Sequence, residues 1–379
     1  MDNLILLSIV SLINDFSSKM ILPVLPLYIK QLGGAGLAVG LISGIGESIA
    51  SFLKVLSGYW SDKYGGRKPF VLGGYFTSAV AKILFFFANS WPVVLVLRSL
   101  ERTGKGLRSA SRDALIAVTG GKRGKAFGIH RAFDSGGAVL GSLFVLFLVW
   151  RLKVEIRYVF LIAGIIAFFA LIPIFPAKES DKKKAGNKKL IISFKEFSPR
   201  LKLFMAVAAI FALGNFSWMF LVLKVQDAFS AGFAIVIPIL LYILYNVFYT
   251  AMAVPSGMLA DKFGKDNVLL AGYSLFALIM LGFIFFNELA SFIVLFILYG
   301  IMYAFIESNE RAYVSDLSED ETRGTALGTF FTLTSIVALP AGLIAGSLYD
   351  VQPEFTFVYG LVLSMSAVAL FLVHKCSRK

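Results

Sequence analysis

Gly58-Tyr-Trp-Ser-Asp62-Lys63-Tyr64-Gly65 returns later in the chain as Gly257-Met-Leu-Ala-Asp261-Lys262-Phe263-Gly264, an offset of about 199 residues. Two further matches keep the order. Arg112 falls opposite Arg311, and Arg123-Gly-Lys-Ala-Phe-Gly128 returns as Arg323-Gly-Thr-Ala-Leu-Gly328. The matching residues are polar or glycine, so shared apolar composition does not produce them. The chain therefore reads as two halves of one duplicated plan.

Composition says what each half is made of. The 379 residues are 58% hydrophobic and only 16% charged, with a mean hydropathy of +0.80. A water-soluble domain carries about 25% charged residues. These values exclude a soluble enzyme, a disordered chain and a coiled coil. They indicate a polytopic membrane protein. A helical span takes about 20 apolar residues, so about 12 spans use roughly 240 residues and leave only short loops.

Twelve apolar stretches are expected as spans: 3–30, 37–61, 69–89, 91–113, 125–150, 156–176, 201–226, 232–258, 267–286, 290–315, 323–348 and 354–374. The fold class is an all-α membrane protein of two pseudo-symmetric six-helix bundles, 1–176 and 201–379. A basic cytoplasmic linker, 177–200, joins them. Met1-Asp2 runs directly into the first stretch, which is read as a retained span rather than a cleaved signal.

Loop charge sets the orientation. Lys63, Arg67 and Lys68 follow the second span, and Lys122, Arg123 and Lys125 precede the fifth. The middle loop carries nine lysines and arginines between Lys178 and Lys202. Most opposite loops are short and weakly charged, with the basic segment Arg151–Arg157 as the exception. Cytoplasmic loops carry the excess of Lys and Arg. Both termini and the linker are therefore expected in the cytoplasm, in the plasma membrane. The net charge of +13 then belongs to that membrane face and its anionic lipid, and no nucleic-acid partner is expected. One cysteine, Cys376, and two histidines, His130 and His374, do not make a metal cluster. No cofactor and no metal are expected.

The repeated loop motif, with the twelve spans, resembles the major facilitator superfamily (MFS). The family pattern is roughly Gly-x-x-x-Asp-Arg/Lys-x-Gly-Arg/Lys-Arg/Lys. Gly58, Asp62, Lys63, Gly65 and Arg67 fit it, with Gly66 in place of a base. Gly257, Asp261, Lys262, Gly264 and Lys265 fit the second copy, with Asp266 in place of a base. The resemblance covers nearly the whole chain. It implies a secondary transporter with its substrate site near mid-membrane between the halves. Arg102-x-x-Lys105-Gly106 is loosely similar to the span-four motif of the drug/proton antiporter branch, although Lys105 and Arg108 depart from it. Gly137 and Gly141 match part of that branch's span-five motif, with Ser142 replacing its proline. Asp15 followed by Pro23 and Pro26 is similar to span one of exporters, where Lys19 stands at a position that favours a carboxylate.

The motif also has a physical reading of its own. Glycine at a helix end lets two helices pack closely. An aspartate beyond it can accept hydrogen bonds from another helix's positive N-terminus. Asp62 against the Thr322–Gly324 turn, and Asp261 against the Lys122–Gly124 turn, are expected to latch the cytoplasmic side. Each contact is expected to contribute on the order of 1–2 kcal/mol, weak enough to break in every cycle. The candidate gate residues are Gly58, Asp62, Gly65, Arg67, Arg112, Gly257, Asp261, Gly264 and Arg311.

Ionisable groups inside spans are costly and usually face a cavity or a partner. Asp15 and Lys19 are four apart, the order that favours a helical ion pair. Glu47 and Lys54 are seven apart, near one face. Arg98, Glu101, Arg102, Lys105, Arg108 and Arg112 form a ladder along span four, and Lys82 lies in span three. With Asp134, Asn215, Asn246 and Glu307, the candidates for the substrate cavity and proton coupling are Asp15, Lys19, Glu47, Lys54, Arg98, Glu101 and Arg102. Arg108, Arg112, His130 and Arg311, near the cytoplasmic ends, are expected chiefly to snorkel to water, as are Lys224 and Asp227 at the opposite surface.

A buried carboxylate beside a cation can gain or lose its proton when that cation moves. The expected function is therefore a secondary active transporter working by alternating access. It exports a small amphipathic or anionic compound, a drug or metabolite, in exchange with protons, as a monomer. The alternative is an importer or uniporter of an organic anion. No concentrated nucleophile-and-base arrangement marks an enzyme. No Gly-x4-Gly-Lys-Ser/Thr loop marks ATP-driven transport.

Overall fold

The computed structural model describes residues 3–64, 66–118, 123–179, 197–230, 233–319 and 322–376. The apolar stretches become helices with few residues between them. In chain order these are α1 (Asn3–Ile21), α2 (Leu25–Gln31), α3 (Gly36–Tyr64), α4 (Lys68–Leu84), α5 (Trp91–Val118), α6 (Arg123–Leu146) and α7 (Ile156–Phe169). The second half gives α8 (Pro199–Gly214), α9 (Met219–Ala228), α10 (Val236–Phe263), α11 (Lys265–Phe285), α12 (Leu289–Asp316), α13 (Arg323–Val351) and α14 (Pro353–Cys376).

Among the described residues, eleven helical spans are long and apolar enough to cross a membrane. The twelfth, α5, has the length, but its ladder of charges lowers its hydropathy. Two spans are broken. Pro23 sits in a 3-10 turn between α1 and α2. Asn215–Trp218 separates α8 from α9.

Helix ends follow from local chemistry. Ser198 caps α8 by accepting from the Leu201 amide at 3.2 Å, with Pro199 at the first helical position. The Glu179 carboxylate accepts from the Arg67 and Lys68 amides, 3.0 Å each, where α4 begins. Gly264 turns the chain directly from α10 into α11 at φ +91°, a left-handed conformation that glycine adopts without strain.

The contacts divide the chain into two compact units. Residues 1–34 and 45–190 form one, and residues 35–44 and 191–379 the other. In the first unit α1 packs on α6 and α7, and α4 on α5 and α7. Gly137 and Gly141 of α6 lie so close to α1 that an added Cβ would stand 2.3 and 2.1 Å from the Leu12 and Phe16 carbonyl oxygens. Without a hydrophobic drive between helices in lipid, such backbone proximity is what packing relies on. An apolar cluster of Leu7, Val10, Val71, Tyr75, Leu115, Ile116, Ala170 and Ile174 closes one end of this unit.

In the second unit α10 packs on α12, α11 on α12 and α14, and α8 on α13 and α14. The first turns of α3 belong here. Gly36 and Gly40 lie against Gly346 and Gly342 of α13, backbone to backbone. The Asp350 carboxylate accepts from the Gly36 and Leu37 amides at 2.5 and 2.9 Å, which supplies the missing cap of α3.

Candidate functional site

The first unit holds a continuous run of charge. On α5, one turn places Arg98 beside Glu101, with Nη1 2.6 Å from the carboxylate and both side chains about 5% exposed. Arg102, one further residue along, sends Nη2 to Glu47 of α3 at 2.6 Å, while its Nε stands 3.9 Å from Glu101. Gly46 makes room for this crossing, since a Cβ there would lie 3.1 Å from Arg102 Cγ. Four of the residues singled out from sequence, Glu47, Arg98, Glu101 and Arg102, thus form one network. Three are largely buried. The Glu47 side chain is half exposed.

Asp15 accepts from the Asn14 side-chain amide at 3.1 Å, and Lys19 lies half-buried one turn on. Glu47 turns to Arg102, and Lys54 lies exposed two turns on.

The lower part of α5 is more buried than its position suggested. Arg108 is 4% exposed. Its Nη1 donates to Ser78 Oγ at 2.5 Å, and its guanidinium lies 4.6 Å from the Tyr75 ring centre. Hydroxyl and π-face replace water as its surroundings, so it does not snorkel. His130 is likewise 4% exposed. Arg112 Nη1 donates to Ser11 Oγ at 3.0 Å, and Ser11 in turn lies 2.8 Å from His130 Nε2. On the other side of the ring, His130 Nδ1 faces Asp134 Oδ2 at 3.7 Å. Asp134 keeps its other oxygen buried without a hydrogen bond. Arg112, selected for its repeat partner, thus belongs to a Ser11–His130–Asp134 chain.

Sequence reasoning left Lys82 out of the candidate site. It lies in the last turn of α4, 1% exposed, with Nζ donating to Ser17 and Ser18 of α1 at 3.0 and 2.9 Å. The Ser17-Ser18 pair in an apolar span was the signal available, but hydroxyls do not register in a search for opposite charges.

In the second unit Asn215 stands at the α8–α9 break with its side-chain oxygen buried and without a hydrogen bond. Asn246 donates to the Tyr242 carbonyl at 2.7 Å, one turn back in α10. Glu307 of α12 accepts from the Tyr249 hydroxyl and pairs with Arg311 at 3.0 Å. Tyr249 continues a cluster of rings with Tyr245, Tyr299 and Tyr303 that the sequence reading did not single out. Their spacing, 245 and 249 on α10, 299 and 303 on α12, is the one-turn step that puts each pair on one face. Lys224 does not snorkel either, being 7% exposed and 2.5 Å from Glu354. Asp227 is exposed, as expected of a group near the surface, and accepts from Tyr349 at 3.1 Å.

Among the gate candidates, Gly58 packs on Ala110, Gly257 faces open space, and Gly264 makes its turn. Arg67 donates to the Ala114 carbonyl at 3.3 Å. Asp261 is exposed at the end of α10. Arg311 is half exposed over the Phe331 ring. The Asp62 side chain, Gly65, Lys122 and the Arg123 side chain lie outside the described residues, and the latch expected of them with them.

Residues 7–244 and 222–376 match the family model described as Major Facilitator Superfamily. An uncharacterized MFS-type transporter of Methanocaldococcus jannaschii is 46% identical over 376 residues, covering 98% of this chain and 94% of that one. The quinolone resistance protein NorA of Staphylococcus aureus is 25% identical over 383 residues, covering 95% and 93%. The crystal structure of the nucleoside transporter NupG matches with a TM-score of 0.83 over 100% of both chains. Its 14% identity makes this a likeness of fold alone.

Proposed function

Since this chain belongs to the Major Facilitator Superfamily, a family of transporters, we propose that it exports a small amphipathic or anionic compound in exchange with protons. The observation that carries the reading is the Glu101 carboxylate held between Arg98 and Arg102, with Arg102 reaching on to Glu47. Charges this deep in a span are costly and mark a transport pathway. On α5, Arg98, Arg102, Lys105, Arg108 and Arg112 outnumber Glu101 and Asp113, so an anionic group on the substrate finds cations to pair with.

Exchange with protons follows from the shared cations. A substrate anion that draws Arg102 or Arg98 away changes the field at Glu101 and Glu47. The proton occupancy of the network then changes with it. Asp15 and the His130–Asp134 pair stand close enough in the same unit to extend the path. The site is exposed to one membrane face and then the other by alternating access. The chain works as a monomer in the plasma membrane with both termini in the cytoplasm, on the side of its basic loops. Similarity to a quinolone resistance protein supports the outward direction.

The test is flux in proteoliposomes loaded with a fluorescent quinolone. An imposed pH gradient drives its movement, and Glu101→Gln abolishes the response. Flux indifferent to both pH gradient and membrane potential overturns the coupling. The basic surplus on α5 also favours a second reading, an importer or uniporter of an organic anion. The same vesicles decide it, through uptake that proceeds without a gradient.

A further inference from the structure

The Lys82 side chain has a hydrogen-bond inventory that fits two protonation states unequally. Nζ donates to Ser17 Oγ at 3.0 Å and Ser18 Oγ at 2.9 Å. Ser17 spends its own proton on the Ala163 carbonyl of α7 at 2.5 Å, so it acts toward Lys82 as an acceptor. An uncharged amine has two N–H groups, and two acceptors are present. The ammonium has a third N–H and a full charge to place. Among the described residues no carboxylate lies within ion-pair distance of Nζ.

The charged groups around it are already engaged. Glu101 of α5 is held by Arg98 and Arg102, and Asp15 of α1 by the Asn14 amide. Arg98 and Arg108 of α5 add positive charge nearby. α1 brings one cation, Lys19, and α7 brings Arg157 and Tyr158, in its opening turn. A buried ammonium without a counter-ion is what a low-dielectric interior disfavours most. Its remedy is at hand, because Glu101 becomes available whenever Arg98 or Arg102 turns elsewhere.

We propose that Lys82 is a proton-carrying group of the first unit, an amine held by Ser17 and Ser18 that takes up a proton when Glu101 is released by its arginines. The proton adds to the Nζ lone pair and no other bond changes. The inference rests on the proton-coupled reading and names the atom that holds the proton. A lysine suits the task because its charge is conditional, whereas an arginine at the same place stays charged throughout.

The experiment uses purified full-length protein in lipid nanodiscs, without substrate. Cys376→Ser removes the native thiol. Spin labels are placed at Tyr64→Cys and Phe263→Cys, both exposed at helix ends. Distance distributions are recorded across mildly acidic to mildly alkaline pH. Wild type is expected to shift its distribution with pH. Lys82→Met and Lys82→Arg, one without the charge and one unable to lose it, are both expected to hold one distribution throughout. The double variant Ser17→Ala/Ser18→Ala keeps the lysine and is expected to move the midpoint by roughly one pH unit or more. It remains informative if a Lys82 variant fails to fold. A pH response retained in either Lys82 variant, or an unmoved midpoint in the serine variant, overturns the assignment while leaving proton coupling intact. A wild type that ignores pH removes the coupled reading itself and this assignment with it.

Discussion

Arg102 and Glu47 meet at 2.6 Å across two helices, and the same guanidinium stands 3.9 Å from Glu101. One cation therefore serves two carboxylates of unequal surroundings. The Glu47 side chain is 51% exposed and that of Glu101 is 6% exposed. Their removal has unequal consequences.

Glu101→Gln strips a counter-ion from both Arg98 and Arg102 inside the unit. Breaking a buried pair in this way costs about 3–5 kcal/mol. Glu47→Gln touches a half-exposed pair and costs about 1 kcal/mol or less. Thermal melting followed by tryptophan fluorescence in detergent separates them. Equal shifts in the two variants contradict the burial argument.

Replacing Arg98 and Glu101 together distinguishes stability from function. A buried ion pair exchanged for apolar residues of similar size is often neutral or stabilising. Arg98→Met/Glu101→Leu is expected to melt close to wild type while its pH-driven flux is lost. Flux preserved in that double variant shows the pair to be structural only.

Gly137 tests the α1–α6 crossing. A methyl group there meets the Leu12 carbonyl oxygen at 2.3 Å, whereas the neighbouring Gly136 has no atom within 4 Å. Gly137→Ala is expected to destabilise by about 1–3 kcal/mol through overpacking. Gly136→Ala is expected to be neutral or to gain up to about 1 kcal/mol of helix propensity. The fraction remaining monodisperse after heating reads both. A milder effect at Gly137 than at Gly136 refutes the close crossing.

The repeated loop motif contains two glycines with different demands. Gly264 holds φ +91°, and an added Cβ there stands 2.7 Å from Asp266 Oδ1. Gly257 lies within α10 and faces open space. Gly264→Ala is expected to cost about 1–2 kcal/mol in backbone strain, and Gly257→Ala to leave the melting temperature within a degree or two of wild type. Identical behaviour of the two variants argues that the turn relaxes easily.

The span plan was legible because periodicity plays no part in it. Apolar length alone marks a membrane helix, and edges such as 323 for α13 and 156 for α7 coincide with the observed ones. The breaks after Ile21 and Gly214 were less visible, since a helix can pause within lipid-facing composition without any change of hydropathy. The Arg98–Glu101 contact was readable from three-residue spacing along one helix. The Arg102–Glu47 contact needed the packing of α3 on α5, and no spacing within a helix encodes that. For Arg108, His130 and Lys224, nearness to a helix end is not nearness to water, because Ser78, Ser11 and Glu354 from neighbouring elements supply the polar partners. Lys82 escaped because its partners carry no charge.

The polarity of α5 bears on how the protein is made. Each Lys or Arg near the centre of a span costs about 2.5–3.5 kcal/mol when a helix leaves the translocation channel for lipid alone. With Arg98, Arg102 and Arg108 along its length, α5 has no favourable solo exit, unlike α11, whose charges are confined to its first turn. Its partners are already made when it emerges, because α3 and α4 precede it in the chain and carry Glu47 and Ser78. Biogenesis of the first unit is therefore cooperative: α3 and α4 must stay beside the channel until α5 arrives, and a chain whose α3 and α4 have already dispersed into lipid leaves α5 without the groups that neutralise it.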